Sequence, residues 1–253
     1  MKSGFFALQS SRFPHPHGLT QLVHFGNFID VTPTFTLFGI AHILILVAVA
    51  LAASFFSLWA RRNPGVTMPL RVTLATFLLV NEISWYSYNV AEGWVQFPFG
   101  LPLDLCDIVV WLTLLAAYTK KPGILELAYY WGPAGSSLAI LTPDLGAPMN
   151  TYPVVHFFLA HGGVVVINVF LVWGMTVRPR QGSVWRALFW LNVYAIVIGA
   201  FDAVFHANYF YLCDKPGSVS LLTYMGPWPF YILTGEVLAV TIFWLLSLPF
   251  RGD

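Results

Sequence analysis

Seven long apolar runs, separated by short segments rich in Pro, Gly and basic residues, make up most of the chain. A helix crosses the hydrocarbon core of a bilayer with about 20 predominantly apolar residues, and Pro and Gly commonly mark helix ends. The pattern predicts an all-α, polytopic membrane helix bundle with seven transmembrane helices. They are predicted at residues 36–59, 66–94, 101–118, 123–141, 152–177, 183–206 and 228–250.

The bundle is predicted to form one transmembrane domain over residues 32–250. The first 31 residues contain only a short apolar stretch, Phe5-Phe6-Ala7-Leu8, which is too short for the apolar core of a cleavable signal peptide. Residues 1–31 are therefore predicted to form an extracytoplasmic or interfacial segment.

Composition supports the membrane assignment. Of the 253 residues, 58% are hydrophobic and 9% are charged, whereas charged residues make up about 25% of a typical soluble domain. So few charges cannot cover the surface of a soluble fold of this size. An ordinary soluble enzyme and a basic nucleic-acid-binding protein are excluded, and a multi-pass protein of the cell membrane is expected.

The distribution of Lys and Arg predicts the orientation of the bundle. Basic residues in short loops mark the cytoplasmic side of a membrane protein. Most of the 12 basic residues fall on one predicted side: Arg61, Arg62, Arg71, Lys120, Lys121, Arg178, Arg180, Arg186 and Arg251. The N terminus is therefore predicted outside and the C terminus in the cytoplasm.

The polar residues within the predicted spans are concentrated in their outer halves. A charged side chain in hydrocarbon is costly unless it is paired or hydrated, so it commonly marks function. The set predicts a polar cavity open to the outside, although protonated or hydrogen-bonded side chains that join helices would produce the same pattern. The supporting and substrate-binding candidates are His42, Glu82, Asn89, Asp107, Asp202, His206, Asn208 and Glu236.

Cys106 and His161 form the first candidate for catalysis. At 1.5 Å per helical residue, Cys106 would lie about 8 Å and His161 about 14 Å below the outer surface. An imidazole next to a thiol can make it a nucleophile. Two structural alternatives remain open: a core histidine bonded to a neighbouring helix, and a disulfide between Cys106 and Cys213.

Asp202 and His206 form a second candidate. Their i, i+4 spacing places both on one helix face, where a carboxylate can orient a histidine for proton transfer or for a metal shell. The chain has no His-x-x-x-His or similar pair of ligands, which disfavours a metal site. No cofactor-binding motif is present, and no cofactor is expected.

Several short motifs resemble the YwaF family of bacterial integral membrane proteins, in order from about residue 28 to residue 250. They are LPLDLCD at 101–107, LTPDL at 141–145, FFLAHG at 157–162, WLNVY at 190–194, NYFYLCDKP at 208–216 and GPWP at 226–229. The resemblance implies a relationship to eukaryotic polytopic acyltransferases that act on phospholipids. In that branch a cysteine in a short helix works with a histidine in a later one, and these positions fall on Cys106 and His161.

These observations favour an acyltransferase that uses a Cys-His pair and an acyl-thioester intermediate, with membrane phospholipids and lysophospholipids as partners. Asn89, Asn208 and a protonated Asp107 or Glu236 are candidate donors to the oxyanion. The first alternative is a transporter or receptor for a small polar or amphipathic ligand, contacted by Glu82, Asp202 and Glu236. The second is a structural protein stapled by a Cys106–Cys213 disulfide.

Overall fold

The computed structural model describes residues 35–143, 145, 148–215 and 221–250. The predicted segment 1–31 lies outside the described residues. Within the described part the fold is all-α, and its seven α-helices are α1 (Ile40–Arg62), α2 (Thr67–Ala91), α3 (Leu105–Thr119), α4 (Pro122–Leu141), α5 (Tyr152–Val169), α6 (Ser183–Phe205) and α7 (Phe230–Ser247).

The predicted polytopic, all-α class is confirmed, and each predicted span contains one helix. Five helical segments in the described chain are long and apolar enough to cross a membrane: Ile40–Arg62, Pro64–Ala91, Tyr152–Gly174, Ser183–Phe205 and Phe230–Phe250. Helix α3 has only 15 residues, about 22 Å of helix, which is less than the roughly 30 Å hydrocarbon core. Five of the seven predicted spans therefore contain a helix that is long and apolar enough to cross a membrane, and the number of crossings and the orientation of the bundle stay predictions.

Helices α3, α4 and α5 form the centre of the bundle. Helix α4 is buried along most of its length, including the side chains of Glu126, Tyr129 and Tyr130. Helix α4 contains Glu126, two tyrosines and two serines, which lower its hydropathy, so it is not among the five long apolar segments; neighbouring helices can satisfy such polar groups. In α1, α6 and α7, by contrast, few side chains are buried, as expected for helices that face lipid.

Hydrogen bonds between helices define the two ends of the bundle. His42, in the first turn of α1, bonds through Nε2 to the carbonyl of Ile140 at the end of α4, over 2.7 Å. Tyr129, early in α4, donates to the carbonyl of Leu246 near the end of α7, over 3.1 Å. We call the end that holds the starts of α1, α3, α5 and α7 the cysteine end, and the opposite end the arginine end.

Glu126 organises the arginine end. Its carboxylate accepts hydrogen bonds from Nε of Arg180 at 2.8 Å and from Nη2 of Arg186 at 2.9 Å, and it also accepts the backbone N–H of Arg180. The hydrogen bond and the negative charge of Glu126 raise the pKa of the Arg180 guanidinium. The carboxylate therefore ties the segment before α6 to the start of α4.

Replacing Glu126 with alanine is expected to destabilise the protein. The carboxyl side chain is 3% exposed, whereas the two arginine side chains are 56% and 41% exposed, so part of the interaction is screened by solvent. We expect a loss of about 2 kcal/mol in the free energy of unfolding, measured by thermal circular dichroism in detergent micelles. The exposed Glu92 gives the control Glu92→Ala, and equal melting temperatures for the two variants would contradict the prediction.

Candidate active site

Cys106 lies in the first turn of α3, with an exposed side chain. Asp104 is the N-cap residue, but its side chain does not cap the helix. Its Oδ1 atom instead accepts the backbone N–H of Phe210 at 2.8 Å. The first N–H groups of a helix have no partner within the helix, so donors without a side-chain cap lie beside the thiol.

The other candidate, His161, is held in one tautomer. Its Nδ1 atom lies 2.8 Å from the carbonyl oxygen of Phe157, one turn earlier in α5. A carbonyl oxygen can only accept, so Nδ1 carries the proton and Nε2 carries the lone pair. Nε2 is buried and has no hydrogen-bond partner among the described residues. The side chain therefore presents an unengaged basic nitrogen inside the bundle.

A hydrogen bond between α3 and α5 sets the positions of Cys106 and His161 relative to each other along the helix axes, which we call their level. Asn168 donates through Nδ2 to Oγ1 of Thr113 at 2.8 Å, and both residues are buried. Both helices start at the cysteine end, so they run in the same direction. Cys106 and His161 each lie seven residues before the bonded pair, and seven residues return a helical side chain to within about 20° of the same face. The register therefore puts both residues at the same level, about 10 Å from this bond.

The common level of the two residues differs from the depths expected from the sequence, which placed Cys106 nearer the outer surface than His161. Helix α3 starts at Leu105, four residues later than the predicted start at residue 101, because residues 97–104 form a nonhelical segment. Hydrogen bonds hold that segment against α6 and the turn after it: Tyr194 donates to the carbonyl of Leu103, and Tyr209 to that of Pro98. Cys106 is therefore as deep as His161, although no hydrogen bond joins the two, since Nε2 is unpartnered.

Two acidic side chains, Asp104 and Asp107, lie close to Cys106. Asp107 is its neighbour in sequence, and the carboxyl groups of Asp107 and Glu82 are close enough to interact electrostatically. Glu82 is 1% exposed, and its Oε2 atom has no partner among the described residues. Two residues that were predicted from depth alone, Glu82 and Asp107, are thus brought together.

The sequence analysis missed Tyr86. Its ring stacks on Trp111 of α3, with centroids 6.3 Å apart, and its hydroxyl is buried without a partner among the described residues. Tyr86 also lines a pocket of about 460 Å³ on α2, together with Ile83, Ser87 and Val90. Its i, i+4 spacing from Glu82 was the signal in the sequence, since that spacing places both on one helix face.

Comparison with known protein families identifies the chain. The model of the TMEM164 family matches residues 37–247, which includes all seven helices. The chain belongs to the TMEM164 family. The resemblance to the YwaF family is therefore wrong, and the relationship it implied no longer supports a function. No curated protein and no solved structure shows a significant match to the chain.

In this TMEM164-family protein Asp202 stabilises the turn that follows α6. Oδ1 of Asp202 accepts the backbone N–H of Tyr209 at 3.0 Å, and Oδ2 has no partner among the described residues. Helix α6 ends at Phe205, and His206 has a left-handed backbone with φ of 55°. The side chain of His206 is exposed, and its pairing with Asp202 stays a prediction.

Asn208 and Cys213 belong to the turn that follows α6. Oδ1 of Asn208 accepts the backbone N–H groups of Cys213 and Asp214, both at 3.0 Å, and Nδ2 donates to the carbonyl of Asp214. Its amide is engaged in the turn and is not a free donor for an oxyanion.

Cys106 and Cys213 are both free thiols, so the disulfide that was considered as an alternative does not form between them. Desolvation raises the pKa of the Cys213 thiol, and the carboxylates of Asp202 and Asp214 raise it further.

Two further predicted residues join helices in this TMEM164-family bundle. Nδ1 of His42 accepts the backbone N–H of Phe38 at 3.0 Å while Nε2 donates to Ile140, so both ring nitrogens are engaged. Glu236 accepts a hydrogen bond from Nδ2 of Asn192 at 2.8 Å, which joins α7 to α6. Both residues have the helix-joining role that the sequence analysis kept as its alternative.

Asn89 and the possible metal ligands complete the predicted set. The side chain of Asn89 is half-buried near the end of α2, and its carbonyl accepts the N–H of Trp94. In the described part of the chain, no group of three or more His, Cys, Asp and Glu side chains could hold a metal ion. The core of the candidate site is Cys106 and His161, with Asp107 next to Cys106 and Glu82 within electrostatic reach of Asp107.

Proposed function

We propose that this TMEM164-family protein is a membrane acyltransferase that moves acyl chains between phospholipids through Cys106 and His161. One observation carries the proposal: the Thr113–Asn168 hydrogen bond puts an exposed thiol and an imidazole with a free Nε2 at the same level of two parallel helices. A thiol that pairs with a base held in one tautomer is the arrangement that nucleophilic catalysis requires.

The first half-reaction forms an acyl-enzyme. Nε2 of His161 takes the proton of the Cys106 thiol, and the thiolate attacks the carbonyl carbon of a phospholipid ester. The tetrahedral intermediate then expels the glycerol oxygen, which receives the proton from His161 and leaves as a lysophospholipid. The C–O ester bond is broken and a C–S thioester on Cys106 is formed. Catalytic hydrogen bonds are often long in unliganded proteins, so the absence of a direct bond between the two residues is compatible with this step.

The second half-reaction returns the acyl chain to an acceptor. His161 takes the proton of a hydroxyl group on a lysophospholipid, and the resulting oxygen nucleophile attacks the thioester. The C–S bond breaks, and the proton on His161 returns to the Cys106 thiolate. The backbone N–H groups of Leu105 and Cys106, at the start of α3, supply hydrogen bonds to the oxyanion in both halves, and a protonated Asp107 is a further donor.

Substrate access follows from the pocket on α2. Ile83 and Val90 give it an apolar wall that suits an acyl chain, and Tyr86 and Ser87 complete its lining. Tyr86 contacts Trp111, one turn of α3 beyond Asp107. A phospholipid that enters from the side of the bundle would place its chain in this pocket and its ester near Cys106.

The decisive experiment is to trap the thioester. Purified protein in detergent micelles is incubated with a phospholipid that carries an alkyne-tagged acyl chain, and the tag on the protein is quantified. We expect labelling that neutral hydroxylamine removes from the wild type, loss of labelling in Cys106→Ala, and retention in the control Cys213→Ala. Labelling of Cys106→Ala at the wild-type level would overturn the proposal.

A second candidate function, binding of a polar or amphipathic ligand without chemistry, is favoured by the buried and unpartnered atoms Glu82 Oε2 and the Tyr86 hydroxyl. Such atoms are costly unless a ligand or water satisfies them. In that case no thioester accumulates, and a phospholipid raises the thermal stability of the wild type and of Cys106→Ala to the same extent.

A further inference from the structure

The segment that leads into Cys106, residues 97–104, is nonhelical, and we call it the cysteine segment. Tyr194 of α6 donates a hydrogen bond to the carbonyl of Leu103 at 2.6 Å. The donor and the acceptor lie 91 positions apart in the sequence, so the bond fixes this stretch of backbone against a different part of the bundle. The bonded carbonyl belongs to the backbone just before the thiol, and Tyr194 therefore acts on the position of Cys106.

Tyr209, in the turn after α6, makes a second set of contacts with the cysteine segment. Its hydroxyl accepts the N–H of Leu101 at 2.9 Å and donates to the carbonyl of Pro98 at 2.8 Å. Apolar side chains of the segment pack at the same place. The cluster consists of the buried residues Ile198, Ala207 and Tyr209, with Leu101 and Leu103 packed against them. Helix α6 and its turn therefore hold the segment through both polar and apolar contacts.

Asp104, the last residue of the cysteine segment, adds a contact with the same turn. An Asp at the N-cap position normally accepts an N–H from the first turn of its own helix, at N2 or N3, and N2 is Cys106 here. The side chain of Asp104 does not cap α3, and its Oδ1 atom accepts the backbone N–H of Phe210 at 2.8 Å. Phe210 presents this N–H from a left-handed backbone with φ of 56°, which is uncommon for a residue other than Gly. The carboxyl group therefore joins the turn to the start of α3.

We propose that Tyr194 and Asp104 are positioning residues for acyl transfer, because they hold the cysteine segment so that the Cys106 thiol stays at the level of His161. This inference rests on the proposed function, since it assigns how the nucleophile of that reaction is held. Both side chains act through the backbone before the thiol and not on the substrate. A reacting group displaced by about 1 Å can lose roughly 100-fold in rate, so loss of either bond should lower the maximal rate and leave lipid binding unchanged.

Tyr194 is tested by comparing Tyr194→Phe with Tyr129→Phe. Tyr129 donates to the carbonyl of Leu246 at the arginine end, over 3.1 Å, so each variant removes one hydroxyl that bonds to a carbonyl of another segment. We expect Tyr194→Phe to lower the maximal rate of thioester formation about tenfold, with the half-saturating concentration of tagged phospholipid within about twofold of wild type. Tyr129→Phe should keep the wild-type rate. Equal rates in the two variants, whether lowered or not, would overturn the role of Tyr194.

Asp104 is tested by the pair Asp104→Asn and Asp104→Leu. Asparagine keeps an oxygen acceptor for the N–H of Phe210 and is equally suited to an N-cap position, whereas leucine is of similar size and has no acceptor. We expect Asp104→Asn to keep the maximal rate within about twofold and Asp104→Leu to lose about tenfold. An equal loss in both variants would assign the effect to the charge and not to the hydrogen bond. That result, or the wild-type rate in both, would overturn the role of Asp104.

Hydrogen–deuterium exchange of residues 97–104, read by mass spectrometry, tests the anchoring without any turnover. We expect about fivefold faster exchange of the cysteine segment in Tyr194→Phe and in Asp104→Leu, since each loses one hydrogen bond, and the wild-type rate in Tyr129→Phe. If the wild type forms a thioester and the segment exchanges equally in all four proteins, the positioning proposal fails alone. If the wild type forms no thioester, the proposed function fails and this proposal with it, even where the exchange rates differ.

Discussion

Replacing His161 with glutamine is expected to lower the rate of thioester formation on Cys106 by about 10³-fold, a typical contribution of a general base. The amide of glutamine can still bond to the carbonyl of Phe157, so the local packing of α5 is kept. It has no basic nitrogen to replace Nε2, which is the atom left without a partner in the described structure. The rate is measured from the time course of labelling with the tagged phospholipid.

The matched control is His206→Gln. His206 is an exposed histidine at the end of α6, so the same chemical change there should leave the rate within about twofold of wild type, as is usual for substitutions away from the reacting groups. The melting temperatures of both variants separate an effect on chemistry from one on folding. If His161→Gln forms the thioester at the wild-type rate, another base activates Cys106, and the pairing proposed for the two residues is wrong.

The helices could be predicted from the sequence because each one must present apolar side chains to lipid or to a neighbouring helix. The starts of α4, α5 and α6 were therefore predicted within one residue. The start of α3 was not, because residues 101–104 are as apolar as a helix but are held in a nonhelical segment by Tyr194 and Tyr209. Such contacts are made by residues about 100 positions away, and local pattern does not contain them.

The candidate site, like the fold, could be predicted from the sequence only in part. Depth along each span was enough to group Glu82 with Asp107, since helical rise converts sequence position into level. It could not show that Asp202 accepts the backbone N–H of Tyr209, because that depends on a left-handed turn at the end of α6. It also could not show which face of α3 meets α5. The Thr113–Asn168 hydrogen bond supplies that information and connects Cys106 with His161.

The same contact makes Gly132 a sensitive position. A Cβ atom built on Gly132 of α4 would lie 2.8 Å from Nδ2 of Asn168 and 2.9 Å from Cγ1 of Val164. Gly132→Val would force these side chains apart, in a core where overpacking costs about 3 kcal/mol. We expect the melting temperature to fall by about 9 °C. Because Asn168 must move, its bond to Thr113 should weaken, and thioester formation should decrease as well.

Gly135→Val is the control within the same helix. A Cβ atom at Gly135 meets nothing within 4 Å, and valine has a higher helix propensity than glycine. The same substitution three residues away should therefore leave the melting temperature unchanged or raise it slightly. Opposite signs for the two variants would show that close approach of α4 to α5, and not loss of a flexible glycine, limits stability. If Gly132→Val melts like Gly135→Val, then α4 and α5 do not approach each other closely at Asn168, and the explanation of Gly132 as a close-packing position is wrong.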